Sequence, residues 1–444
     1  MKTNKGSVSQ FIGSCAALLP RAWAVLILAV AVAVEAGGVT LKVDRIKQRY
    51  PWNGLVDIDY TLAYDEGEAV DRDDNLEVMM VDNAVAPAET NRAITFLQAP
   101  LPMTAGQHRI TWNASADGVT NYTEQAEFLV KIAHYAEVYM VIDLLSGKDS
   151  AGNVCYHVDF LSGTPSGGFN KEEYKSSKIV LRRIHPCSYL AGSPAGTGGE
   201  ANRNSTKEKQ HGVILSQPYY IGLFEVTQAQ YKNVVGGNPS GFPGLGQELH
   251  PVENLDYGAI RGSTATTANP PTQTSFMGLL CQRCKSSDKD GNYVVDVTGF
   301  DLPTEFQWEY ACRAGTTKAF NRTDDFDNTD GSAQKAELEL LGRYKDNGGS
   351  TDHHAVVGSY QSNAWGLYDM HGNVQELCRD LYCDDPTTLN QVVNPTGAAS
   401  DTRGVARGGG YSSSYDGCRS AFRNDRNLNG KNSAVGFRLS RTLP

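Results

Sequence analysis

The sequence predicts an all-β domain followed by a longer, loop-rich α+β domain. Three observations carry this. Residues 55–62 (LVDIDYTL) alternate apolar and polar side chains, the period of two that a half-buried strand requires. Glycine is frequent, 45 of 444 residues, and long helical periodicity is scarce, so much of the chain turns rather than coils. Two short segments of the second half also carry helix caps, so that half is mixed rather than all-β.

The first 36 residues read as a leader. Lys2, Lys5 and Arg21 precede the apolar run 22–34 (AWAVLILAVAVAV), followed by Glu35-Ala36-Gly37-Gly38. The run is shorter than the roughly 20 residues a membrane span needs but suits the core of a secretory signal. A signal peptide over 1–36, cleaved after Ala36, is the expectation, and the protein is then exported: periplasmic, cell-surface or secreted. The alternative is an uncleaved anchor, the one case in which a membrane is a partner. A formal charge of −10 and an isoelectric point near 5.4 exclude a nucleic-acid partner, which needs a basic face.

Residues 37–144 form the predicted all-β domain. On the 55–62 strand Val56, Ile58, Tyr60 and Leu62 share the core face. Short runs of the same kind recur at 76–81, 108–112, 126–132 and 138–144. This many short strands in so few residues predict an immunoglobulin-like sandwich, with no chemistry converging on it. Residues 145–177, rich in Gly, Ser and Asp, read as a linker, and 178–444 as the second domain. In 302–315 (LPTEFQWEYACRAG), Thr304 and Gln307 form a capping box, Gly315 ends the helix, and Trp308, Ala311 and Cys312 share one stripe. Thr227 caps another helix that stops before Gly236.

Nine cysteines are present, one of them, Cys15, inside the leader. The other eight make disulfides the default in an exported chain. Cys281 and Cys284 form a CxxC that is open to three readings: disulfide, free thiols, or redox or metal work.

Several segments, in order, resemble the sulfatase-modifying-factor (formylglycine-generating enzyme) family: YYIGLFEVTQAQY (219–231), NPS (238–240), PVENLDY (251–257), DLPTEFQWEYACRAGT (301–316), WGLYDMHGNVQELCRD (365–380), RGGGY (407–411), CRSAFR (418–423) and GFRLSR (436–441). The resemblance covers 178–444 and implies a C-type-lectin-like fold. It also implies calcium held by Asp369, Gly372, Val374 and Glu376, an oxygen set that suits this hard ion; the competing reading has the two carboxylates capping a turn and pairing with arginines. Gln375 and Leu377 stand where the family usually has tryptophans. Family oxidases hold copper(I) with two cysteines after the Arg-Gly-Gly motif, and convert a sulfatase cysteine to formylglycine. Here Tyr411-Ser412-Ser413-Ser414 stands in their place and serine cannot replace a thiolate, so copper is not expected. By the same resemblance Cys418 is a structural cysteine bonded to Cys312.

Other constellations are weaker. The nine histidines contain no His-x3-His-x-Glu iron motif, and the adjacent His353-His354 reads as a loop feature. The serine run reads as a solvated loop. Arg407, Arg419 and Arg423, with Arg426 and Arg438, either knit loops through carboxylates or form a pocket for an acidic or sugar-like ligand. The expected function is a calcium-stabilised extracytoplasmic binding protein for a peptide, protein or glycan, not a cysteine oxidase. The alternatives are a sulfatase-maturation oxidase with displaced thiols, Cys378 and Cys383, and a structural cell-surface module.

Overall fold

The computed structural model describes residues 34–36, 39–49, 53–64, 74–82, 89–93, 105–117, 119, 126–134, 137–145, 147–149, 152–196, 199–244, 246–262, 270–287, 293–321, 330–348 and 353–443. The N-terminal strands are β1 (Val34–Ala36), β2 (Val39–Gln48), β3 (Leu55–Tyr64), β4 (Asp74–Asp82), β5 (Glu89–Arg92), β6 (Gly106–Asn113) and β7 (Ala126–His134). They form one antiparallel sheet in the order β1-β2-β3-β6 and a second in the order β5-β4-β7. The expected face of β3 is the inner one: Val56, Ile58, Tyr60 and Leu62 are buried and share one apolar cluster with Leu76, Val78 and Met80 of the second sheet. On β2 the pairing shifts between Val43 and Arg45, and this bulge lets Leu41, Val43 and Ile46 face the same core despite their broken alternation. The end of the expected leader, Val34–Ala36, pairs with Val39–Leu41; its residues 1–33 lie outside the described residues. No helix among the described residues is long and apolar enough to cross a membrane.

The second domain begins earlier than expected. Its elements are β8 (Tyr139–Asp143), β9 (Tyr156–Leu161), α1 (Glu173–Ser176), β10 (Lys178–Ile184), β11 (Cys187–Ala191), β12 (His211–Leu215), β13 (Tyr219–Gly222), α2 (Gln228–Val235), α3 (Tyr257–Arg261), α4 (Phe276–Arg283), β14 (Cys284–Ser287), β15 (Tyr293–Asp296), β16 (Phe300–Asp301), α5 (Glu305–Arg313), α6 (Gly331–Leu341), β17 (Gln375–Leu381), β18 (Arg403–Arg407), β19 (Asn424–Asn427), β20 (Val435–Gly436) and β21 (Ser440–Thr442). The strand expected to finish the sandwich, β8, pairs instead with β9 and β10. It sits inside an eight-stranded sheet, β15-β14-β9-β8-β10-β13-β21-β16. The physical reason lies in its composition. Met140 and Ile142 enter one apolar cluster and Tyr139 and Val141 the other, so β8 is covered on both faces, as a central strand is. The expected linker 145–177 accordingly carries β9 and α1.

A smaller, four-stranded sheet has the order β19-β18-β17-β20. Helix α5 packs on β11, β17 and β18. The expected capping box of Thr304 with Gln307 forms, and Thr227 caps α2 as expected, in a second box that it closes with Gln230. Helix α5 closes with Ala314 in the left-handed region, followed by Gly315, and α2 closes on left-handed Gly236.

Candidate functional site

Helix α5 organises the site. All of its residues except Tyr310 are buried, so its carboxylates need cationic partners. Glu309 pairs with Arg313 one turn on, at 2.8 Å, and with Arg407 from β18. Burial works to raise the Glu309 carboxyl, but Arg313 and Arg407 outweigh it and hold the pKa below the ordinary value. Glu305 takes Arg423, with Nη2 at 2.8 Å. Glu200 and Glu208 grip Arg419 at 2.7 and 2.6 Å. Arg407 donates further to the carbonyls of Ala421 and Phe422, at 3.0 and 2.6 Å. The ligand pocket expected at Arg407, Arg419 and Arg423 is therefore corrected. All three are buried and committed to glutamates from distant parts of the chain, so they knit loops rather than await a ligand.

The 369–376 turn packs beside this network. Asp369 and Asn373 have positive φ, as does Gly372 at +123°. A Cβ on Gly372 would lie 2.3 Å from the Arg343 carbonyl oxygen, so only glycine fits. Glu376 receives Arg438 on both oxygens at 2.6 Å and the Trp308 indole N–H at 2.7 Å. Glu225 accepts the Val374 N–H at 3.0 Å and the Asn373 amide. Asp369 accepts the Gly358 N–H at 2.6 Å through one oxygen, while its other oxygen is buried without a hydrogen-bond partner.

Three buried carboxylates thus gather round one guanidinium. Burial pushes the Asp369 carboxyl up to about 6. Burial, with the charges of Asp369 and Glu376, pushes Glu225 well above the ordinary range. Of the expected calcium set Asp369, Gly372, Val374 and Glu376, Asp369 keeps one buried oxygen without a partner, whereas Glu376 is fully engaged. Ca²⁺ takes roughly six to eight oxygens, and both Glu376 oxygens already face a guanidinium and an indole. The carboxylate–arginine alternative describes Glu376.

Cys312 and Cys418 do not pair; both are buried free thiols. Cys312 Sγ faces Ser420 Oγ at 3.7 Å and His371 Nε2 at 3.6 Å. Cys418 turns into a separate apolar cluster with Phe320, Leu338 and Tyr344. The residue opposite Cys312 is therefore a serine two positions past the expected partner, and a hydroxyl cannot close the bridge. Cys281 and Cys284 are free as well, with both thiols pushed up by burial. Dithiothreitol is expected to leave the melting temperature unchanged. A bridge across a loop of about 100 residues would be worth about 4–5 kcal/mol, so a drop of several degrees on reduction would show that the disulfide exists.

These elements run in the order of a known family. The family model for the sulfatase-modifying factor enzyme 1-like domain matches residues 189–443. The chain belongs to this family. Its second domain has the family's C-type-lectin-like fold. The chain is similar to the chaperone protein LppX of Paenibacillus barcinonensis, 29% identical over 262 residues, which cover 55% of this chain and 87% of that protein. It is also similar to the formylglycine-generating enzyme of Streptomyces coelicolor, 32% identical over 149 residues, 32% of this chain and 46% of the enzyme. A third relative is the serine/threonine-protein kinase pkn1 of Chlamydia pneumoniae, 33% identical over 147 residues, 33% of this chain and 21% of the kinase. The match spans less than half the length of these last two. Among solved structures, Treponema denticola variable protein 1 superposes with a TM-score of 0.46 at 28% identity, covering 60% of this chain and 96% of that one. PvdO from Pseudomonas aeruginosa gives 0.45 at 20% identity, covering 60% and 94%.

Within the sulfatase-modifying-factor domain, the RGGGY loop is tightly built. Gly409 has φ +69°, and a Cβ there would lie 2.6 Å from Cys418 Sγ. The Tyr411 N–H donates to the Asn373 carbonyl at 2.8 Å, tying the loop to the 369–376 turn. Ser412 and Ser414 are exposed and the Ser413 hydroxyl accepts the Gly410 N–H at 3.0 Å, which agrees with the reading of a solvated loop. Next to Tyr411 stands a group that sequence reasoning missed: the His354 ring lies 6.1 Å away, in contact with His250 and His353. The adjacent histidine pair was the one signal for it. A concavity of about 490 Å³ opens among Arg261, Cys281, Phe300, Asp301, Gln307 and Arg379, and no residue of the RGGGY loop lines it.

Proposed function

We propose that this chain is an exported member of the family that lacks cysteine-oxidase chemistry and binds a polypeptide, with a glycan as the less favoured ligand. The observation that carries this is the state of the one thiol in the RGGGY segment. Cys418 is buried, and burial, the nearby Asp416 adding, pushes its thiol up, away from the thiolate form. A copper(I) site needs accessible thiolates. The displaced pair offers no better centre: Cys378 is buried among apolar residues with its thiol pushed well up, while Cys383 faces the Asp385 carbonyl at 3.3 Å. The relative named as a chaperone, matched over most of its length, favours a polypeptide partner. In this reading the N-terminal sheets form an immunoglobulin-like spacer, and the ligand meets the cavity beside Arg379.

The test has two arms. Incubation with copper(I) and a Cys-x-Pro-x-Arg peptide is expected to yield no aldehyde, and turnover would overturn the reading. Fluorescence anisotropy against unstructured peptides, with a glycan array alongside, is expected to show peptide binding at about micromolar dissociation constants, weakened by Arg379→Glu. Glycan binding alone would overturn the polypeptide assignment, and no binding in either format would overturn the binding reading as a whole.

A further inference from the structure

We propose that His250, His353 and His354 bind a divalent transition metal of the Zn²⁺ class through their imidazole nitrogens. This goes beyond the binding reading above and does not depend on it. His250 lies on the loop after α2, and its ring meets that of His354 from 104 residues further on. One ring nitrogen of each of the three histidines lies within 4.8 Å of the others. Nδ1 of His250 stands 3.0 Å from Nδ1 of His354 and 3.1 Å from the His354 carbonyl oxygen. A tetrahedral ion with metal–nitrogen bonds of about 2.0–2.1 Å sets its ligand nitrogens about 3.3 Å apart, so the pair needs to open by only a few tenths of an ångström.

A second observation points the same way. Nε2 of His354 is buried without a hydrogen-bond partner and faces Glu253 Oε1 at 3.7 Å, with both side chains at 0% exposure. Glu253 is held in place by the N–H groups of Gly241 and Phe242, each at 3.0 Å. With Nδ1 of His354 on a metal, its Nε2 keeps the proton and aims it at this carboxylate. That is the usual support for a metal-bound histidine, fixing the tautomer and raising ligand basicity. The proton shared between the two Nδ1 atoms moves to Nε2 of His250, so binding shifts a tautomer without net proton loss.

The surroundings suit the ion. His353 is half-buried and gives the site an approach from solvent. Three imidazoles prefer Zn²⁺, Cu²⁺ or Ni²⁺ to hard cations, and they leave a fourth position for water or a ligand.

The test uses the full chain stripped with a chelator and titrated with Zn²⁺ against a chromophoric competitor, with Co²⁺ absorption as a report on geometry. One Zn²⁺ per chain is expected at about micromolar affinity or tighter, with His353→Gln and His250→Gln each weakening it at least about tenfold. His157→Gln, a half-buried histidine on β9 beside Asp159, serves as the control and leaves the affinity unchanged. Circular dichroism of the metal-free variants checks folding; if His250→Gln does not fold, the half-buried His353→Gln decides. Absence of saturable Zn²⁺ uptake, or uptake equal in His353→Gln and the wild type, overturns the proposal.

Discussion

Arg438→Met is expected to lower the stability of the sulfatase-modifying-factor domain by about 3–5 kcal/mol, the typical cost of leaving a buried charge without its partner. Arg438 is fully buried and offers two hydrogen bonds to Glu376. It donates as well to the carbonyls of Gly222 and Tyr368, at 2.8 and 2.9 Å, so the substitution also releases the ends of β13 and the 369–376 turn. Three carboxylates then face one another with no guanidinium among them, and only Lys175 acts on Asp369 from nearby. The loss should depend on pH with a definite sign. A carboxyl whose folded pKa is raised is a cost when charged, present above the folded value and relieved as pH falls through it. Asp369 already sits at about 6 against an ordinary value near 4. Without Arg438, which lowers it, relief should begin at higher pH. Urea unfolding at pH 7.5 and pH 5.5 reads this: the deficit should shrink on acidification. A deficit below about 1 kcal/mol, or one independent of pH, would refute this account of the cluster.

Arg419→Met is expected to be comparably damaging, about 3–5 kcal/mol, for a related reason. Its guanidinium satisfies Glu200 at 2.7 Å and both oxygens of Glu208, at 2.6 and 2.9 Å. Burial already raises the Glu200 pKa, with Arg313 and Arg419 opposing it and Glu208 adding to it. The informative comparison is Glu200→Gln/Glu208→Gln/Arg419→Met. Replacing a whole buried ionic triad is often tolerated where removing one member is not, so the triple variant should recover much of the stability lost in the single one. If Arg419→Met melts like the wild type, the residue is free to act in ligand binding after all. If the triple variant is no better than the single, packing rather than charge carries the loss.

What the sequence determined by itself was whatever depends on neighbours a few residues apart. Alternation placed Val56, Ile58, Tyr60 and Leu62 on one face, and the caps Thr227 and Thr304 placed the starts of α2 and α5. The ordered motifs named the family, and the serine run after Arg407-Gly408-Gly409 argued against copper. Each of these follows from backbone periodicity or local hydrogen bonding, which a short window of residues contains. Tertiary structure alone decided the partnerships. Whether Arg419 faces solvent or Glu208 is settled by a contact 211 residues long in sequence, and the register of the turn before β19 puts Ser420, not Cys418, opposite Cys312. The apolar run of β8 is equally compatible with a sandwich edge and a central strand until both of its faces are seen covered. His250 meets His353 and His354 because the loops after α2 and α6 converge on Tyr411. No periodicity encodes such a meeting: a side chain's partner depends on where the whole chain has returned, and its charge state depends on how much water that return has excluded.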